Sequence, residues 1–159
     1  MIAVDLAASE DSERLGAALA EAVPWSVGRP LCLFLSGELG AGKTTVARGL
    51  LRALGVAEAV KSPSYTLLET YEPAGHRVLH LDLYRLSGGA EIHALGLRDE
   101  LSAGVLLIVE WPERAREALP PADLELRLSM PAIGRTARIE AGTESGALWL
   151  LRVRDKRAL

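Results

Sequence analysis

Eight consecutive residues carry the strongest chemical signal in the chain. Gly37-Glu38-Leu39-Gly40-Ala41-Gly42-Lys43-Thr44 fits G-x-x-x-x-G-K-[ST], and Thr45 follows directly. Glycines let such a loop curl until successive backbone N–H groups point inward at phosphates. A helix starting where the loop ends adds the partial positive charge of its N-terminus. Lys43 would bridge the β- and γ-phosphates, the Thr44 hydroxyl would coordinate Mg²⁺, and Thr45 is placed to reach the α-phosphate. A nucleotide with Mg²⁺ is the expected ligand, with Glu38 to Gly42 as its cradle.

Hydrolysis also needs carboxylates for the metal and the attacking water. Glu110 ends an apolar run at the edge where open α/β sheets bind ligands, and Asp82 lies on the polar face of another run. Either could hold Mg²⁺ directly or through water, or orient the nucleophile, and either could be a solvated strand end. Ser62-Pro63-Ser64-Tyr65 follows at the place of a nucleotide-sensing loop. Ser64 or Thr66 could offer a hydroxyl there, or the segment could be a plain connection. Trp111 could line the nucleotide pocket or cap the sheet. His76, His80 and His93 lack metal-ligand spacing, and His80 reads as a packed strand residue. Cys32 reads as a small hydrophobe, and Trp25 and Trp149 as packing residues.

Other phosphate-loop classes fit less well. No guanine-reading N-K-x-D is present, and the arginines of 85–98 are too sparse for a kinase lid. Leu86-Ser-Gly-Gly-Ala90 looks like the L-S-G-G-Q signature of ABC-type ATPases. It follows the loop too closely to leave room for their helical subdomain, and the acidic strand ends Val-Glu-Trp-Pro. A Gly-Gly turn before a helix is the simpler reading.

The elements that must position these residues follow from periodicity. Helical spacing predicts a first helix over Ser9 to Val23, with Pro24 ending it. Leu31–Leu35 is apolar on both faces, as in the interior of a parallel sheet, and runs into the glycine loop. Val46, Leu50, Leu51 and Leu54 then form one stripe of a helix closed by Gly55. Tyr65–Tyr71 and Arg77–Tyr84 are expected strands, joined by a turn at Glu72–Gly75. In the second, Leu79, Leu81 and Leu83 share one face while His80, Asp82 and Tyr84 share the other. Glu91–Leu101 is an expected helix, Val105–Val109 a buried strand ending in Glu110, and Glu113–Leu119 a short helix. Leu124–Met130, Thr136–Glu140 and Leu148–Val153 read as late strands, with turns at Gly134 and Gly142–Gly146. The pattern predicts an α/β three-layer sandwich of P-loop type, its central sheet mostly parallel with antiparallel additions.

Length and composition set outer bounds. The 159 residues suit one domain spanning 1–159, with a basic C-terminal tail at about 154–159. Lys and Arg number 18 against 21 Asp and Glu, a net charge of −3, which disfavours nucleic-acid binding by bulk positive charge. No run approaches the roughly 18 apolar residues of a membrane span, and Met1–Asp5 lacks the basic start of a secretion signal. One cysteine excludes an internal disulfide and any multi-thiolate zinc site. A cytoplasmic chain without membrane contact is expected.

Four blocks in order resemble one family: Gly37–Thr45, Val60-Lys-Ser-Pro-Ser-Tyr-Thr-Leu67, His80-Leu-Asp-Leu-Tyr-Arg-Leu86 and Val109-Glu-Trp-Pro-Glu113. They are similar to TsaE (formerly YjeE), the bacterial P-loop ATPase of tRNA threonylcarbamoyladenosine synthesis, over nearly the whole chain. The resemblance implies an ATPase, weak alone, needed to install threonylcarbamoyl on N6 of adenosine 37 in tRNAs that read ANN codons. It implies work with the TsaB–TsaD heterodimer, in which TsaD is the transferase, so that tRNA is met only through the complex. By the same likeness Lys43 serves the phosphates, Thr44 the Mg²⁺, Glu110 is the metal-linked acid, Asp82 a second essential acid, and Trp111 a neighbour of the nucleotide. Ser64 keeps the hydroxyl of a threonine common there. Ser87-Gly-Gly-Ala90 departs from the family's A-D-P-E-like run, which weakens the expected helix start and bears on partner contact. Ser12 and Arg135 are candidates for adenine recognition. Two alternatives stand beside this reading: a kinase of a small molecule or cell-wall precursor, and a non-enzymatic nucleotide-binding regulator.

Overall fold

A computed structural model describes residues 1–131 and 134–155. Its centre is built around the two apolar runs, β2 (Leu31–Ser36) and β5 (Val105–Glu110). With β4 (Arg77–Asp82) and β6 (Leu124–Ser129) they lie parallel in the order β6-β2-β5-β4. Strands apolar on both faces need cover on both sides. Leu31, Leu33 and Leu35 pack under α1 (Ser9–Ala22), α2 (Lys43–Ala53) and α5 (Glu144–Asp155), while Cys32 and Phe34 join the opposite core with Leu79, Leu81 and Leu83. That second core is closed by two short helices, α3 (Ala90–Ala94) and α4 (Leu97–Glu100). The edges are antiparallel. β3 (Leu68–Tyr71) lies outside β4, and β7 (Arg135–Ala141) followed by β1 (Ile2–Leu6) lies outside β6. The expected three-layer arrangement is therefore found.

One close approach fixes the helix that follows the glycine loop. A Cβ on Gly16 would lie 2.1 Å from the Val46 carbonyl oxygen, and one on Gly49 would lie 2.2 Å from that of Glu13. Only hydrogen fits at either position, so α1 and α2 touch backbone to backbone. Glu13 bridges the crossing by ion pairs to Arg48 at 3.0 Å and Arg52 at 3.3 Å.

Several elements differ from expectation, each for a local reason. The stretch Leu148–Val153 is helical within α5, not a strand. Thr143 caps it, its Oγ1 accepting the Gly146 N–H at 3.0 Å, and Trp149, Leu150 and Val153 bury one face. A short apolar run does not distinguish the two states by periodicity. The turn expected over Gly142–Gly146 is thus the start of this helix. The basic tail belongs to α5 as far as Asp155, and 156–159 lie outside the described residues. β1 escaped the reading, although its residues alternate in burial. Tyr65 and Thr66 are turn residues, because Leu67 has φ +63° and donates its N–H to the Pro63 carbonyl at 2.7 Å; only 68–71 pair. The helix expected over 91–101 breaks at Gly96, φ +65°. That expected over 113–119 is two 3₁₀ turns, Pro112–Arg114 and Arg116–Ala118.

At Ser87–Ala90 the N-cap of α3 is Gly89, and no side chain caps the helix start. Glu91 reaches back to accept the Ser87 hydroxyl at 2.8 Å and its N–H at 3.3 Å.

Candidate functional site

The sheet gathers the chemical residues at one edge. In the register of β4 and β5, Asp82 stands opposite Glu110, and Glu110 is opposite Leu35 of β2, two residues before the glycine loop. Alternation turns both acids toward α2. The strand ends are cross-tied: the Leu83 N–H donates to the Glu110 carbonyl at 3.1 Å and the Trp111 N–H to that of Leu35 at 3.2 Å.

Gly42 is the N-cap of α2, with φ +107°. It has no side chain to satisfy the helix end, and the N–H groups of Lys43, Thr44 and Thr45 have no intrahelical acceptor. Gly37 is equally constrained, since a Cβ there would lie 2.4 Å from the Leu128 carbonyl oxygen. The loop is thus wedged against β6 at one end and opens as a ring of donors at the other.

A cleft of about 400 Å³ lies over this ring. Leu39, Gly40, Gly42, Lys43, Thr44 and Thr45 form one wall, and Ser64, Asp82, Glu110 and Trp111 face them. The Thr44 hydroxyl donates to the Glu110 carboxylate, 3.0 and 3.1 Å from its two oxygens. Asp82 accepts the Ser62 hydroxyl and the Tyr84 N–H, the latter at 2.9 Å. Lys43 is folded onto its own loop, donating to the carbonyls of Gly37 at 2.7 Å and Glu38 at 2.8 Å. Its ammonium lies 3.8 Å from the centre of the Trp111 ring. Burial lowers the Lys43 pKa below the ordinary lysine value, against the opposing pull of Glu110, Glu113 and Asp82. Trp111 itself has φ +59°, a sparsely populated conformation of the kind that concentrates at functional sites.

Five expected residues are not in the cleft. Ala41 is fully buried beneath the loop, and Glu38 lines a separate cleft of about 480 Å³ with Arg116 and Arg127. Ser12 is fully buried, its hydroxyl unpartnered and 3.5 Å from where a Cβ on Gly42 would sit; it packs beneath the loop and lines no part of the cleft. Arg135 starts β7, two strands from β2, and does not line the cleft either. Thr66 is spoken for by Glu69, to which it donates at 3.1 Å.

The structure adds residues that the sequence reading passed over. His80 is fully buried, with Nε2 2.9 Å from Glu110 Oε1. Its place two residues before Asp82, on the same face, was the available signal. Ser62 is the hydroxyl that meets Asp82, where Ser64 and Thr66 had been singled out. Tyr84 leans on Trp111 with ring centres 4.9 Å apart.

The donor set is hard oxygen: one hydroxyl and two carboxylates. Among the described residues no cluster of three or more His, Cys, Asp or Glu could hold a metal by itself. Such a set suits Mg²⁺, which takes one or two protein carboxylates and completes its shell with water and phosphate.

The sequence profile described as "Threonylcarbamoyl adenosine biosynthesis protein TsaE" matches residues 6–138. The chain belongs to the TsaE family. Among curated relatives, the tRNA threonylcarbamoyladenosine biosynthesis protein TsaE of Haemophilus influenzae is 38% identical over 118 residues, covering 74% of this chain and 75% of that one. The protein of the same name from Streptomyces coelicolor is 45% identical over 108 residues, covering 66% and 72%. The crystal structure of Bacillus subtilis YdiB matches 98% of this chain and 95% of its own with a TM-score of 0.76. At 23% identity that last likeness speaks for the fold alone. The TsaE profile spans every residue of the cleft, from Leu39 to Trp111.

Proposed function

We propose that the chain is a Mg²⁺-dependent ATPase that acts in threonylcarbamoyladenosine modification of tRNA, together with the TsaB–TsaD complex. The observation that carries this is the meeting, in one cleft, of an uncapped helix start, Lys43, and the Thr44 hydroxyl hydrogen-bonded to Glu110. Family membership and the names of the relatives supply the pathway.

In this reading the loop N–H groups and the N-terminus of α2 receive the phosphates. Lys43 exchanges the carbonyls of Gly37 and Glu38 for phosphate oxygens. Thr44 and Glu110 would hold the Mg²⁺, with Asp82 within the same cleft. When bound, the metal neutralises phosphate charge. Asp82, fixed by Ser62 and the Tyr84 N–H, is placed to order the attacking water. Trp111 backs the lysine, its ring centre 3.8 Å from the ammonium.

The test is ATP turnover by the purified chain, alone and with TsaB–TsaD, beside co-purification with ATP, ADP or no nucleotide. Slow turnover alone, a nucleotide-dependent complex and at least a hundredfold loss in Lys43→Ala or Glu110→Ala are expected, on the order of the loss of a charge-stabilising group. No complex, with turnover stimulated by a metabolite instead, would favour a small-molecule kinase. Intact tRNA modification in cells carrying either folded variant would favour a non-enzymatic regulator.

A further inference from the structure

Building on the nucleotide reading above, we propose that His80 is a positioning residue that holds the Glu110 carboxylate in the orientation met by the Thr44 hydroxyl. His80 lies in β4 opposite Ile108, one rung of the same face below the pair Asp82 and Glu110. Its neighbours along that face, Val78, Leu106 and Ile108, are buried and apolar, so packing alone calls for no imidazole. The ring is fully buried, Nε2 lies 2.9 Å from Glu110 Oε1, and Nδ1 is buried with no hydrogen-bond partner.

The tautomer follows from these contacts. With the proton on Nδ1, a buried donor would have no acceptor, and the Nε2 lone pair would face a carboxylate lone pair. The Nε2–H form leaves only one idle acceptor and gives Glu110 a hydrogen bond. Oε1 is then held from the strand side while both oxygens face Thr44, which stops the carboxylate from turning about its last bond. Such outer partners of a ligating acid tune metal affinity.

Two variants separate this role from packing. His80→Leu keeps the bulk and removes the donor; His80→Gln keeps an N–H at comparable reach. After thermal unfolding confirms that each folds, Mn²⁺ binding to the ADP-loaded chain is measured by electron paramagnetic resonance, and ADP binding is measured separately in EDTA. We expect His80→Leu to weaken Mn²⁺ by about tenfold while metal-free ADP affinity changes by less than about twofold, and His80→Gln to recover most of the loss. Wild-type Mn²⁺ affinity in His80→Leu, or a glutamine variant no better than the leucine one, overturns the proposal. Nitrogen-15 spectra of the histidines in the ligand-free chain give a second, ligand-independent arm. They should show a proton on His80 Nε2, and a ring protonated on Nδ1 alone refutes the assignment even if neither variant folds. If the wild type binds no nucleotide with metal, the nucleotide reading fails, and the tautomer still judges the contact.

Discussion

Lys43 closes its own loop: two carbonyls and an indole face take the charge that phosphates are expected to take. An incoming anion therefore exchanges contacts and does not create them from nothing, and this internal competition lowers the net gain from binding. The single cysteine makes a contrasting case. Cys32 is buried in β2, and burial first, then the nearby Asp123 charge, pushes its thiol well above the ordinary value. The native thiol stays protonated where an unfolded one ionises. Stability linked to this group is thus full below the ordinary thiol pKa and is lost as pH rises past it. At pH 8, iodoacetamide should label Cys32 only through opening, with a rate that climbs along the urea transition; labelling of the native chain as fast as a free thiol would count against this burial. At this scale the motif residues were legible because their spacing is itself the chemistry. Ser62 and His80 were not, since their roles depend on which residue stands opposite in the next strand, and that is set by register. Ser12 and Arg135 do not line this cleft, because a place in a helix start or a turn says nothing of what lies over it.

The crossing of α1 and α2 governs how firmly the glycine loop is held. Gly16 and Gly49 face the partner helix with no room for a methyl group, and Glu13 ties both arginines across the seam. Gly16→Ala and Gly49→Ala should each destabilise the chain by about 3 kcal/mol, through overpacking against backbone that cannot give way. Urea unfolding measures this, and a shift below about 1 kcal/mol in both would mean that the helices simply slide apart. Elements with one strong signal were readable from the chain: the first helix, the helix after the glycine loop, and the apolar strands β2 and β5. The short or ambiguous ones were not. Leu148–Val153 became helix because Thr143 caps it and Trp149 donates its indole N–H to the Leu19 carbonyl at 2.9 Å, contacts made across the fold. The segments 91–101 and 113–119 broke where a single residue, Gly96 or Ala115, departs from helical geometry.

For the whole molecule, a net charge of −3 and a role in tRNA modification are compatible if the grip on tRNA lies with partners. Filter binding at physiological salt should retain tRNA with TsaB–TsaD present and not with this chain alone, whether ATP is added or not; salt-sensitive retention by the isolated chain would contradict that division of labour. The fold's edges carry another consequence. Among the described residues β1, residues 2–6, pairs only with β7, residues 135–141, and α1 is fastened to α5 through Trp149. Contacts so distant along the chain close slowly. During synthesis on the ribosome, the glycine loop and its flanking strand and helix emerge early, yet the first strand waits for residues 135–139 before it can pair. The N-terminal segment is therefore the last piece of the sheet to be seated, and nascent chains stalled before residue 135 should leave it open to proteases while the loop's own helix is already formed.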